Sequence, residues 1–402
     1  MRILRSCLRV GICVVAVCSA ALANGWTDRS EYDLVLKIRE EASAQKRLVL
    51  LEQWKTGYPT SEQRQVRNEL FLMAYQSLGD HAKMLGTARE ILAGQPDNLA
   101  AAYWCTLLTP EAGEATPEML GLTEKAARVL LSEKPAAAAG GSWEKQKAAV
   151  ELMAHRTLGW VYWQRKDFAA GEKEFARCLE QNAKDARSSA WLGALLAGQP
   201  EQEKQTAGLW HLARASSLRD EEALPEGQRR QLTQVVDTLY RSYHGSEDGL
   251  DALKASAGAA AFPPQGFAIE SASAIAAKRA EEELAFRNPQ LAAWRKIRKQ
   301  LEVPDGEAYF ATAVKGVLLP KLKGTVVRSS PEKKPMELGL ALDDSPDEVV
   351  ILKLSTALSG DPEPGLQINF TATGEAYSAN PFRLTLVATP DQIENWTARA
   401  RK

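Results

Sequence analysis

Large apolar residues recur three and four positions apart from Tyr32 to Leu301, and two positions apart through much of the chain after Val314. The first spacing predicts amphipathic α-helices and the second predicts half-buried strands. Breaks at turn residues divide the helical part into pairs. Tyr32–Glu41 goes with Ala44–Trp54 and is closed by Tyr58-Pro59, and a second pair lies within Gln65–Asn98. Leu99–Leu108 goes with Pro117–Leu131, a fourth pair lies within Leu152–Asp185, and Ala186–Leu196 goes with Lys204–Leu218. A helical hairpin that is apolar on two sides cannot hide both of them alone, so the five hairpins are expected to stack into a solenoid from Asp28 to Asp220.

The pairs are related by a drifting repeat. Within Leu152–Asp185, Leu158-Gly159 is followed by Tyr162, then Phe168 at the turn, then Gly171, Phe175 and Leu179. His155, Leu158, Gly159 and Tyr162 share one helix face, and Gly171, Phe175, Cys178 and Leu179 share a face of the next helix. The small Gly159 and Gly171 allow close approach while Tyr162 and Phe175 fill the space beside them, and Lys166-Asp167 supplies the turn. An earlier copy carries Phe71, Tyr75, Gly79-Asp80, Ala88, Ile91-Leu92 and Pro96 at matching places, with Phe71-Leu72 where the later copy has Leu-Gly. Pro59, Pro96 and Pro135 recur 37 and 39 residues apart. These spacings resemble the tetratricopeptide repeat, whose period is about 34 residues; its closing Pro is replaced by Ala183 in the better copy. The resemblance implies a mainly α fold, an α-solenoid whose groove receives a protein or peptide segment.

Helical patterning continues over Glu226–Tyr243 and Ser271–Leu301, expected as a cap and connector over residues 221–308. Beyond it, Leu338, Leu340 and Leu342, then Leu366, Ile368 and Phe370, then Phe382, Leu384 and Leu386 alternate with smaller or polar neighbours. With Lys323–Arg328 and Val349–Leu354 they make five strands separated by turns such as Asp361-Pro362-Glu363-Pro364-Gly365. Their number and spacing are similar to a small closed OB-like barrel over residues 309–402. The order of parts is similar to a group of uncharacterised exported bacterial repeat proteins.

The destination follows from the first residues. Arg2, Arg5 and Arg9 precede an apolar run from Val10 to Ala21, and Ala21-Leu22-Ala23 presents small residues before Asn24. This is the pattern of a secretory signal covering residues 1–23, and it implies a periplasmic or cell-envelope location. A lipid-anchored alternative cut at Cys18 is disfavoured by the bulky Val17. Losing the leader removes three Arg and no acid, which moves the formal charge from -1 to -4, so nothing draws the mature chain to nucleic acid. It also removes Cys7, Cys13 and Cys18, leaving Cys105 and Cys178 in helices, where a small buried apolar role is expected rather than a bridge.

The sequence gives little for chemistry to work with. Ser43-x-x-Lys46 and Lys55-Thr56-Gly57 match two motifs of penicillin-binding enzymes but fall in one helical hairpin without the strand context or the Ser-Asp-Asn they need. His81, His155, His211 and His244 are scattered singly, and Asp343-Asp344 with Asp347-Glu348 lacks the glycine-bearing spacing of a calcium loop. Gly140-Gly141 lacks the Lys-Ser or Lys-Thr of a phosphate loop. No catalytic residue, metal ligand or cofactor is assigned. Trp294, Ile297 and Leu301 share a helix face and leave Arg295, Lys296, Arg298 and Lys299 as a solvated one. Arg156, Trp160 and Trp163 form a second stripe on the helix of Leu158-Gly159, and exposed aromatics beside an Arg suit a binding surface. Tyr103 and Gln76 complete the candidate protein- or peptide-binding set. Packing of both Trp against a neighbouring hairpin, near Tyr103 or Trp191, is the structural alternative. The function expected is a non-enzymatic scaffold for protein–protein interaction, the alternative a glycan- or peptide-binding module using the β-domain.

Overall fold

A computed structural model describes residues 26, 28–132, 141–343, 346–363 and 365–397. The leader, Pro135, Gly140, Asp344 and Pro364 lie outside the described residues. The chain divides into two compact units, residues 1–269 and 270–402, so the boundary falls inside the segment 221–308 that patterning assigns to a single connector.

In the first unit the five hairpins are α1 (Arg29–Glu40) with α2 (Ala44–Gly57), α3 (Arg64–Leu78) with α4 (His81–Gly94), α5 (Leu99–Ala112) with α6 (Pro117–Leu131), α7 (Gly141–Gln164) with α8 (Phe168–Gln181), and α9 (Ala186–Ala197) with α10 (Gln202–Ser217). Each helix packs on the one before and the one after it, and α11 (Glu226–His244) and α12 (Leu250–Ala259) both pack on α10. Turn chemistry sets the boundaries. Asp28, Ser43, Asp80, Asn98, Thr116, Asp167 and Asp185 cap seven helix N-termini by accepting backbone N–H groups, which meets donors that the helix itself leaves orphaned. Gly79, at φ 70°, ends α3 in the left-handed conformation that glycine adopts without penalty.

The apolar cores run on from hairpin to hairpin. One joins Val35, Trp54, Phe71, Ile91, Trp104 and Leu158, spanning α1 to α7. A second joins Leu120, Trp160, Phe175, Leu179 and Leu192, and a third joins Trp210, Val236, Tyr240, Leu253 and Ile269. Packing from each hairpin onto the next is how a helical-repeat protein is held together. The small residues of the repeat act as expected: a Cβ at Gly159 would lie 2.6 Å from the Phe175 ring, and one at Gly171 would lie 3.2 Å from the Gly159 carbonyl oxygen.

The second unit begins with α13 (Ala272–Arg287), α14 (Pro289–Leu301) and α15 (Gly306–Tyr309), the last running into a π-turn at Phe310–Val314. The basic segment lies on α14 with Trp294, Ile297 and Leu301 buried, while Arg298 faces Glu302 and Asp343, and Lys299 faces Glu281. Seven strands follow: β1 (Leu322–Ser330), β2 (Glu337–Ala341), β3 (Val350–Leu354), β4 (Gln367–Phe370), β5 (Thr373–Ala379), β6 (Phe382–Ala388) and β7 (Ile393–Glu394). They form one mixed sheet in the order β5-β6-β3-β2-β1-β4-β7. The closed OB-like barrel expected from the sequence is therefore corrected. The sheet is open, and β3 pairs with β6 in parallel, a pairing that strand count and spacing do not reveal. The five anticipated strands are present; β5 and β7 are additional and form the two edges. One face, carrying Leu322, Leu340, Leu352, Phe370 and Leu386, is buried with α14 residues in the core of this unit.

Candidate functional site

The aromatic stripe on α7 is packed rather than offered to a ligand. Trp160 is 6% exposed and belongs to the core with Phe175 and Leu192, and Trp163 lies half-buried against the same core, as does Trp191. Arg156 donates to both carboxylate oxygens of Asp185, at 3.1 and 3.0 Å, and Asp185 is itself the buried cap of α9. Burial of Trp160 and the commitment of Arg156 to a cap remove the proposed exposed stripe. Tyr103 is 8% exposed and stacks edge-on against Trp104 at 5.1 Å, in the core shared by α1 to α7 and apart from Trp160. Gln76 is half-buried on α3. The structure thus does not gather these five residues into one surface.

Other singled-out residues have structural work as well. The Ser43 hydroxyl accepts the Lys46 backbone N–H as the cap of α2, which gives Ser43 a structural role and asks nothing of the Lys46 side chain. His155 Nδ1 lies 2.6 Å from Glu174, whose other oxygen accepts from Arg177. Cys105 and Cys178 are buried and unbridged. Burial pushes the Cys178 thiol up to about 12, beyond what the Ser188 hydrogen bond and Arg156 counteract. A thiolate is the reactive form. Neither cysteine is therefore expected to react with a disulfide reagent at pH 8 in native protein, and both are expected to react once it is unfolded in guanidinium, as absorbance of the released thiol would record.

A different surface has the make-up of a binding groove. On α2, Gln45, Leu48, Val49, Glu52, Gln53, Thr56 and Gly57 line an open depression of about 770 Å³, closed on the far side by Tyr75 of α3 and Lys83 of α4. The reason lies in α2 itself. Leu48-Val49-Leu50-Leu51 puts apolar residues on consecutive faces of one helix, while only Leu51 and Trp54 are fully buried. Leu48 is left half-buried, and Val49 is 57% exposed. An amphipathic helix normally turns one stripe inward; α2 has a second.

Leu48, Val49 and the Tyr75 ring make the apolar floor, with amides and opposite charges around it. Lys83 Nζ sits 5.3 Å from the Tyr75 ring centroid and 3.7 Å from Asp80, so its ammonium is held over the aromatic face. Burial, with Glu52, Asp80 and Glu90 nearby, pushes the Tyr75 phenol up, so it remains a neutral donor at neutral pH. Among the described residues no group of three or more His, Cys, Asp or Glu side chains is placed to hold a metal ion. The arrangement suits the reception of an apolar side chain flanked by polar backbone.

No family model and no curated protein matches the chain. Among solved structures it is similar to one described as a functional characterization of Pseudomonas aeruginosa PilF, at 15% identity over 57% of this chain and 88% of that one, with a TM-score of 0.30. A score that low supports no inference about this chain.

Sequence pattern alone does not bring Leu48, Val49, Tyr75 and Lys83 together as a set. The signal was the run of four apolar residues within α2, one more face than a two-sided hairpin consumes.

Proposed function

We propose that this chain is an exported, non-enzymatic scaffold of tetratricopeptide-like hairpins that binds a protein or peptide segment through the α2–α4 groove. The observation that carries the reading is the uncovered second apolar face of α2, with Val49 more than half exposed in the depression that Tyr75 also lines. Exposed apolar surface rimmed by polar residues is a mark of an interaction site. Stacked hairpins supply a rigid frame for it, because each helix is fixed by both neighbours. The envelope destination rests on the basic and apolar leader, and sequencing of the mature protein should find Asn24 first. No helix among the described residues is long and apolar enough to cross a membrane.

Val49→Asp places a charge on the groove floor at a solvent-exposed position, where a substitution usually changes stability by no more than about 0.5 kcal/mol. Crosslinked partners recovered from cells with the wild-type chain are expected to fall at least about tenfold with Val49→Asp, equivalent to roughly 1.4 kcal/mol of binding, at an unchanged melting temperature. Equal recovery by both proteins would overturn the assignment.

A further inference from the structure

We propose that residues 250–269, comprising α12 and the loop after it, form a latch on the last hairpin that loosens on acidification, with His211 as the sensing group. This inference is independent of the groove on α2.

The latch is held by one buried cation. Arg214 of α10 is 3% exposed, and its Nη1 donates to the carbonyl oxygens of Ala257, Gly258 and Ala260 at 2.8, 3.2 and 2.7 Å. Its Nη2 donates to Ala183 in the turn between α8 and α9. A guanidinium at the carbonyl end of a helix meets both orphaned acceptors and the negative end of the helix dipole. The rest of the latch is apolar: Leu250, Leu253, Ala257 and Ile269 are buried with Trp210, and the Phe267 ring lies edge-on to Trp210 at 5.0 Å.

His211 lies beside Trp210 in sequence and three residues before Arg214. It is 2% exposed, its Nδ1 has no hydrogen-bond partner, and the Phe262 ring of the latch meets its ring at 5.9 Å and 83°. The charge that bears on the imidazole is Arg214 itself, and it disfavours a second cation. On and beside the elements packed against α10, several charged groups pair elsewhere. Arg187 of α9 pairs with Glu111, Asp237 of α11 pairs with Lys254 of α12, and Asp220 beyond α10 pairs with Lys184. Among the described residues no carboxylate bears on the imidazole, so an imidazolium formed here has no counter-charge.

Burial first, and Arg214 second, push His211 down to about 4. In an opened latch the ring regains its ordinary value near 6.5. The open form therefore binds the proton first, so closure is undiminished above about pH 6.5, weakens as pH falls toward 4, and weakens no further below that. Arg214 cannot relieve the conflict by losing its own proton, since guanidinium stays charged in proteins. Lifting Phe262 and the carbonyls of α12 away from α10 relieves it. Across that window the opening equilibrium should rise by roughly two orders of magnitude.

The test is hydrogen exchange by mass spectrometry on the full mature chain at pH 7, 5.5 and 4.5, corrected for intrinsic rates. Residues 250–269 are expected to lose protection by tens of fold or more by pH 4.5 while α3 and α4 keep theirs, and His211→Gln should flatten the loss. Should His211→Gln fail to fold, Phe262→Ala serves, because 39% of Phe262 is already exposed; it lets water reach the ring and should shrink the pH response. Loss of protection spread evenly over the first unit, no loss at all, or a full-sized loss in either variant would overturn the proposal.

Discussion

Gly208→Val is expected to part α9 from α10. A Cβ built on Gly208 would lie 2.5 Å from the Ala197 backbone nitrogen and 2.8 Å from its Cα, and one on Gly193 would lie 2.7 Å from the Leu212 nitrogen. The obstacle is main chain, which has no rotamer by which to yield. Removing a helical glycine gains up to about 1 kcal/mol of propensity, whereas overpacking a core costs about 1–3 kcal/mol and more where nothing can move. The net loss should therefore be near 2 kcal/mol. Gly86→Ala in α4 is the control, since nothing lies within 4 Å of its Cβ position. There the propensity gain stands alone, and the protein should become more stable by about 0.5–1 kcal/mol. Because repeat arrays need not unfold in one step, amide exchange should place the Gly208→Val loss in α9 to α12.

Trp54→Ala should be still more damaging. Trp54 is fully buried on α2, its indole N–H donates to Glu31 at 2.6 Å, the Trp26 ring lies 6.0 Å away, and the Arg67 guanidinium sits 5.7 Å from its ring centroid. Arg67 in turn donates to the Tyr58 carbonyl at 2.8 Å, which ties α3 to the end of α2. Truncation of a buried Trp costs about 3–5 kcal/mol, and a buried carboxylate left without its partner adds to that. Trp54→Phe retains most of the packing and orphans Glu31, so it should cost about 1–3 kcal/mol. Amide exchange in graded urea, resolved helix by helix, gives both values, and α2, with its groove, should lose protection first.

The five hairpins are legible because apolar stripes recur along them and most of their helices are punctuated by a cap, such as Asp80 before α4, Asp167 before α8 and Asp185 before α9. Gly159 and Gly171 announced the close crossing of α7 and α8, since a small residue facing a large aromatic has few other uses. Gly193 and Gly208 do the same work between α9 and α10 without a named motif around them to single them out.

In the β-unit, side-chain alternation makes most strands legible but not their pairing. Strand β5, Thr-Gly-Glu-Ala-Tyr-Ser-Ala, carries a single large apolar side chain, Tyr377, because an edge strand packs less of itself. The parallel alignment of β3 with β6 depends on the path of the chain between residues 355 and 381, about which side-chain alternation says nothing.

Helical geometry explains why the stripe of Trp160 and Trp163 is packed and that of α2 is not. Trp160 and Trp163 occupy a second stripe, and periodicity assigns a stripe to a face without saying which neighbour covers it; here α8 and α9 residues do. The same ambiguity held for α2, where the second stripe is left largely uncovered.

A photo-crosslinking amino acid placed at Val49, compared with one at the exposed Glu180 of α8, puts the question to the groove directly in living cells. A discrete protein adduct formed from position 49 and absent from position 180 is the predicted result. No adduct at position 49, or the same faint set from both positions, would contradict a protein-binding surface on α2.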